Sequence, residues 1–248
     1  MVRTQFEFSG SLEDFLPAHR RGRPILLERD YPGAVKDAIE SLGVPHVEVD
    51  RIVVGGQVVG FGYQLEDGDQ VQVYPQAGNE YRLVPPPLPE PAFVLDCHLG
   101  RLARYLRLLG FDSLFEGNYH DRQLLEISLE QDRTLLTRDR DLLKRKALRR
   151  GYYVRATRPR RQLHEVAGHF RLASMLRPFT RCMVCNGLLS PVARQAIEEY
   201  LQPRTRRYYG DFLQCGDCRR IYWKGSHFQR LQRLVGEIRG SGVPDQRP

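Results

Sequence analysis

Cys182-Met-Val-Cys185 and Cys215-Gly-Asp-Cys218 each place two thiols at a spacing that one tight turn can aim at a single tetrahedral ion. Four thiolates fill the coordination sphere of Zn²⁺ and leave no open position, so the expected role is structural. The competing reading is a set of buried or redox-active thiols. Gly216 is the residue expected to let the second turn close. Cys97 is left over; it follows an apolar run and reads as a small buried residue, not a nucleophile.

A second chemistry needs hard oxygen donors, and Asp96, Asp121, Asp139 and Asp141 are the candidates. Carboxylates brought together repel unless a cation neutralises them, and oxygen donors select Mg²⁺ or Mn²⁺. Such ions position a water and stabilise charge on a phosphate in flight. For Asp121 and Asp141 the plainer alternative is helix capping, a routine job for Asp. Asp96 and Asp139 follow apolar strand-like runs, where ligands of open α/β sheets gather.

The surroundings are basic. Residues 1–88 hold 8 Lys and Arg against 13 Asp and Glu, a net −5, and the rest of the chain holds 30 against 17, a net +13. That asymmetry suggests two units, the second facing a polyanion. Arg101, Arg104 and Arg107 recur along one segment, and Arg138, Arg140, Lys144, Arg145, Lys146, Arg149 and Arg150 crowd another. Arg204-Thr-Arg-Arg-Tyr-Tyr209 and Tyr222-Trp-Lys224 interleave base-stacking aromatics with phosphate binders, and His227 stands nearby. Any one cluster reads as a solvated face; beside acids that call for a metal, together they favour nucleic acid.

These residues need elements to position them. Phe93-Val-Leu95 reads as a strand ending at Asp96, and Leu99, Leu102, Ala103, Leu106 and Leu109 form a helical stripe closed by Gly110. Phe111–Phe115 is the next strand, Asp121 opens a helix, Thr134–Thr137 is a strand ending at Asp139, and Tyr152–Arg155 is a fourth. Strand and helix alternating in this way imply a parallel α/β sheet. Before it, the alternating Val2, Phe6 and Phe8, the run Pro24–Glu28, and a helix carrying Val35, Ala38, Ile39 and Leu42 with Gly43 as cap precede the strands at 52–54, 57–59 and 71–74. That is the order of a β-grasp, or ubiquitin-like, fold.

Val84-Pro-Pro-Pro-Leu-Pro-Glu-Pro91 separates the two and predicts domains with few contacts across the joint. The expected organisation is a β-grasp domain at 1–83, a linker at 84–91, an α/β domain at 92–178, a zinc ribbon at 179–235 and a flexible tail at 236–248. The start, Met1–Gly10, lacks the apolar core of a signal peptide, and no run is long enough to span a membrane, so the expected location is cytoplasmic.

Residues 92–235 resemble the Mut-seven C-terminal RNase family, PIN-like domains with a zinc ribbon at their end. The resemblance is carried by Phe93–Gly110, Leu135-Leu-Thr-Arg-Asp139, Arg181–Gly187 and Tyr222-Trp-Lys-Gly-Ser-His227, in that order. It implies an RNA-cleaving enzyme in which Asp96, Asp121 and Asp139 bind Mg²⁺ or Mn²⁺, with Asp141 a further candidate. Glu126 competes with Asp121, one turn into the same helix. Arg101, Arg104, Arg138 and Lys144 are then expected on the RNA path. The competing class is a catalytically inactive RNA-binding or adaptor protein using the same basic surface. The first segment is similar to the ubiquitin-like units that precede such RNase domains and, more distantly, to small sulfur carriers. Carriers need a free Gly-Gly end, whereas this chain runs on from Val73-Tyr-Pro75 into the prolines. Recruitment of a protein partner or intramolecular regulation is the expected role.

Overall fold

The computed structural model describes residues 1–75, 83, 88 and 90–240. Most of the Pro-rich segment, Tyr81 and residues 241–248 of the expected tail lie outside the described residues. In chain order the elements are β1 (Val2–Phe8), β2 (Ile25–Arg29), α1 (Val35–Ser41), β3 (Val49–Val54), β4 (Gln57–Val59) and β5 (Gln70–Pro75). Next come β6 (Ala92–Leu95), α2 (Gly100–Leu108), β7 (Asp112–Leu114), α3 (Asp121–Glu130), β8 (Thr134–Thr137), α4 (Arg140–Leu143), β9 (Gly151–Tyr153) and α5 (Pro159–His169). The C-terminal part holds β10 (Leu189–Val192), α6 (Pro203–Tyr208), β11 (Phe212–Cys215), β12 (Ile221–Trp223) and α7 (Phe228–Gly240). Helix α7 therefore continues into the segment expected to be a frayed tail. Among the described residues no helix is long and apolar enough to cross a membrane.

The first five strands form one sheet in the order β2-β1-β5-β3-β4, with β1 and β5 parallel and the other pairs antiparallel. Alternation in β1 turns Phe6 and Phe8 inward, where they meet Val35, Ala38 and Ile39 of α1 in one buried cluster. Gly43, at φ 107°, follows Leu42, the C-cap of α1, in the left-handed conformation that ends helices. This is the expected ubiquitin-like arrangement.

The rest is built on two β-α-β units and a ribbon. β6 pairs in parallel with β7 across α2, and β8 pairs in parallel with β9 across α4. β10, β11 and β12 form a separate antiparallel sheet. The chain divides into two compact units that cut across these folds: one holds Met1–Pro87 with Asp121–Tyr153, the other Leu88–His120 with Val154–Pro248. The ubiquitin-like fold therefore shares a unit with α3, β8, α4 and β9, whereas the Pro-rich joint predicted little contact beyond it. The cause lies in side chains of the first fold that bind the α4–β9 segment directly, such as Glu48, whose Oε1 accepts from Tyr153 N–H at 2.6 Å.

Candidate metal centre and acidic turns

Each cysteine pair folds into the same small loop. Cys182 N–H donates to Gly187 O at 2.7 Å and Asn186 N–H to Cys182 O at 3.0 Å. In the second loop Cys215 N–H donates to Arg220 O at 3.0 Å and Arg219 N–H to Cys215 O at 3.2 Å. The left-handed residue is the one after the second cysteine, Asn186 at φ 75° and Arg219 at φ 60°. Gly216 has no such conformation, so it does not make the turn as expected; its N–H donates to Leu188 O. Gly187 is needed for space, since a Cβ there would run into the Asp217 carboxylate and Cys215 Sγ.

The four sulfur atoms lie within 4.8 Å of one another, with Cys182–Cys218 at 3.6 Å and Cys185–Cys215 at 3.3 Å. All four are free thiols, and these separations approach the roughly 3.8 Å edge of a tetrahedron with zinc–sulfur bonds of about 2.3 Å. Burial pushes the Cys218 thiol up to about 12 and also raises that of Cys215. Burial raises Cys182 too, but bonds from the Tyr222 hydroxyl, 3.0 Å away, and from loop N–H groups outweigh it and bring the thiol to about 6. Thiols so crowded ionise together only around a cation, and the soft donor set fits Zn²⁺.

Arg107 holds this centre to the β6-α2-β7 unit. It belongs to the arginine stripe expected to face RNA, but its side chain is buried. Its Nε donates to Ser113 O at 2.8 Å and its Nη1 to Val184 O at 2.6 Å, inside the first cysteine loop. Burial lowers the guanidinium pKa, and the charges of Cys185 and Cys182 work against that shift. Asn186 completes the joint: its Oδ1 accepts from Ser113 N–H at 3.0 Å, and its Nδ2 donates to Asp112 Oδ1 at 2.8 Å. The sequence reading missed this residue, although Asn before Gly after a cysteine pair is a left-handed signal.

The acids are placed in two different units. Asp96, in the second, follows β6 and caps a short 3-10 turn, accepting from Cys97 N–H at 2.6 Å. In the first unit Asp139 caps α4 after β8. Its Oδ1 accepts from Asp141 N–H at 2.7 Å and Leu142 N–H at 3.2 Å, while its Oδ2 accepts no bond among the described residues. Asp139 N–H donates to the buried Thr137 Oγ1 at 2.9 Å, which fixes the turn. Capping was expected of Asp121 and Asp141, and the structure gives Asp141's share to Asp139. Asp121 is the exposed first residue of α3 and lies 3.8 Å from Arg145, and Asp141 lies 3.6 Å from Lys144. Glu126 is bound by Arg122 at 2.7 Å on the exposed face of α3. Cys97 is exposed, not buried as expected, because the chain turns outward after β6; slight burial and the bond to Asp96 raise its thiol pKa, which suits no nucleophile.

Arg101 and Arg104 are exposed on α2, while Arg138 and Lys144 are half-buried around the Asp139 turn. On the ribbon, Arg206 is tied to Glu198 O at 2.7 Å, leaving Arg204, Arg207 and Tyr208 as its exposed face. A groove of about 770 Å³ runs beside β11, β12 and the start of α7. Phe179, Trp223 and Phe228 line it with Arg181, Arg220 and Lys224, and His227 lies at the same groove.

Among known families, the one described as the Mut7-C RNAse domain matches residues 91–235, and the one described as Mut7-C ubiquitin matches residues 1–80. No curated protein matches the chain. Of solved structures, small archaeal modifier protein 1 of H. volcanii is similar over 31% of this chain and 100% of its own, at 14% identity with a TM-score of 0.26.

Proposed function

Because the chain belongs to the Mut7-C RNAse domain family, preceded by a Mut7-C ubiquitin-like domain, we propose that it is a metal-dependent ribonuclease that hydrolyses RNA phosphodiester bonds. The observation that carries this reading beyond the family is the Asp139 turn. One carboxylate oxygen is spent on capping α4, which locks the side chain, and the other is left to a ligand. Asp96, Asp121 and Asp139 would hold Mg²⁺ or Mn²⁺, with Asp141 beside them, as hard oxygen donors do. Such an ion supplies a lowered pKa for attacking water and charge compensation on the phosphate oxygens. Arg145 stands 3.8 Å from Asp121. Arg101, Arg104, Arg138 and Lys144 bind phosphates along the path, and the groove of the ribbon offers aromatic faces to unpaired bases. Zn²⁺ on the four cysteines keeps the ribbon folded and takes no part in cleavage. The reading sets the protein in the cytoplasm, where thiols stay reduced.

The capping bonds of Asp96 and Asp139 also favour a second reading, an inactive RNA-binding adaptor in which these acids only cap the starts of helical turns. A cleavage assay on defined single-stranded RNAs separates the two. The enzyme cuts with Mg²⁺ or Mn²⁺, stops with chelator and recovers when the ion is returned. Binding without cleavage under every ion establishes the adaptor.

A further inference from the structure

Arg140 stands between Asp139 and Asp141 in sequence, yet its side chain is spent on the ubiquitin-like fold. Its Nη1 donates to Phe15 O at 2.9 Å and its Nη2 to Asp14 O at 3.1 Å. The guanidinium carbon lies 5.4 Å from the Phe15 ring centre and 5.5 Å from that of Tyr153, and the two rings meet edge-on at 5.3 Å. Other contacts of the same kind follow along the segment. Glu48 takes the Tyr153 N–H on β9, a strand at the edge of its sheet. His46 Nε2 lies 3.0 Å from Leu148 O, with its Nδ1 2.7 Å from Glu40 Oε1. A Cβ at Gly151 would meet Leu143 Cδ2 at 2.7 Å and Leu148 Cδ2 at 3.0 Å, and Val47 Cγ2 at 3.2 Å, so Val47 packs against the same spot.

The physical need for this support is plain. A four-residue helix cannot hold itself, because nucleation costs more than so few bonds return. Leu142 and Leu143 bury one side of helix α4, and its first turn is gripped by the Asp139 cap from within and Arg140 from outside. A planar guanidinium with two donors on fixed backbone carbonyls and rings beside it defines an orientation, which a single charge would not.

We propose that the ubiquitin-like fold works in cis as a clamp on the acid-bearing turn, with Arg140 the positioning residue that sets the Asp139 carboxylate. The proposal rests on the reading of Asp139 as a metal-binding acid. It gives the first domain a role within the enzyme that needs no recruited partner.

The full-length protein tests it with Arg140→Ala, Arg140→Lys and Phe15→Leu. Amide exchange of Asp141 and Leu142, whose N–H groups end on Asp139, reads the clamp without any substrate. In Arg140→Ala both amides exchange at least about tenfold faster, the equivalent of one charge-assisted bond lost. RNA cleavage then falls in kcat, on the order of 10²-fold, with KM nearly unchanged, as for a misplaced group that does not bind substrate. Arg140→Lys rescues little, because the ammonium lacks the fork, and Phe15→Leu, which keeps both carbonyls, gives an intermediate effect in a folded protein. Wild-type exchange in Arg140→Ala, or an unchanged kcat, overturns the clamp. A wild type that never cleaves overturns the ribonuclease reading instead, and the exchange rates then decide the clamp alone.

Discussion

Arg104 and Arg107 sit one turn apart on α2 and serve opposite ends. Arg107 fills the joint between β7 and the first cysteine loop, and truncating it strands the buried Ser113 carbonyl and releases the Val184 carbonyl of the loop. Arg107→Ala should therefore cost about 3 kcal/mol of stability, measured by urea unfolding. Arg104→Ala should leave unfolding unchanged and weaken RNA binding. It should also flatten the slope of log affinity against log salt by about 0.7 for a single strand. The sequence could not tell these two arginines apart, since both fit one basic stripe and the loop that Arg107 grips, at Val184, lies 77 positions away in the chain. The cysteine cluster was legible because its chemistry is local, two thiols to a turn. His169 adds a pH dependence that no spacing announces. Burial first, then the nearby Arg155 charge, lower its pKa to about 4. A folded pKa below the unfolded value of about 6.5 gives stability that is full above pH 6.5 and lost as pH falls toward 4. That loss reaches roughly 3 kcal/mol, and thermal melts of His169→Gln against wild type across this window should show it missing in the variant.

At the scale of elements, period and punctuation were good guides. The stripe of α2, the alternation of β1 and the glycines after α1 and α2 appear in the structure close to where the sequence puts them. Gly110 has a second reason beyond its φ of 97°, because a Cβ there would collide with the Arg177 carbonyl. Among the elements that were not anticipated, two are long helices. Helix α5 opens at Pro159 in a basic stretch, and α7 runs past the point where Gly-rich composition suggested fraying. The Arg160–Glu237 pair at 2.8 Å joins them, and each buries an apolar stripe at helical spacing that the sequence reading passed over, Leu163, Val166 and Ala167 in α5 and Leu234, Val235 and Ile238 in α7. The two cysteine loops are alike in hydrogen bonding, so the ion that joins them should decide whether the ribbon exists. Elemental analysis of protein purified without added metal should find one zinc per chain. Cys182→Ser should lose it and melt β10–β12, since structural zinc contributes on the order of 10 kcal/mol to its module. Retained zinc or an unchanged melt in that variant would remove the metal from the account.

At the scale of the whole molecule, the proline-rich joint misled because composition reports the stiffness of a connection and says nothing of what the connected surfaces do. Phe15, His46 and Glu48 are ordinary residues of a ubiquitin-like fold until the chain returns at Arg140, Leu148 and Tyr153 to meet them. Their spacing follows β-grasp requirements, so the second function left no separate mark in the sequence. That Asp96 and Asp139 each follow a strand was legible for the opposite reason, since an apolar run and its end are local features of the sequence. What those acids do is the central claim, and one pair of measurements on Asp139→Asn decides it. Asparagine keeps the shape and the capping oxygen but removes the charge a divalent ion needs. Cleavage of a single-stranded RNA with Mg²⁺ or Mn²⁺ should fall by several orders of magnitude. Affinity for the same RNA, measured on the same samples, should hold or rise, because a negative charge has left the phosphate path. Cleavage by Asp139→Asn at the wild-type rate would contradict the account.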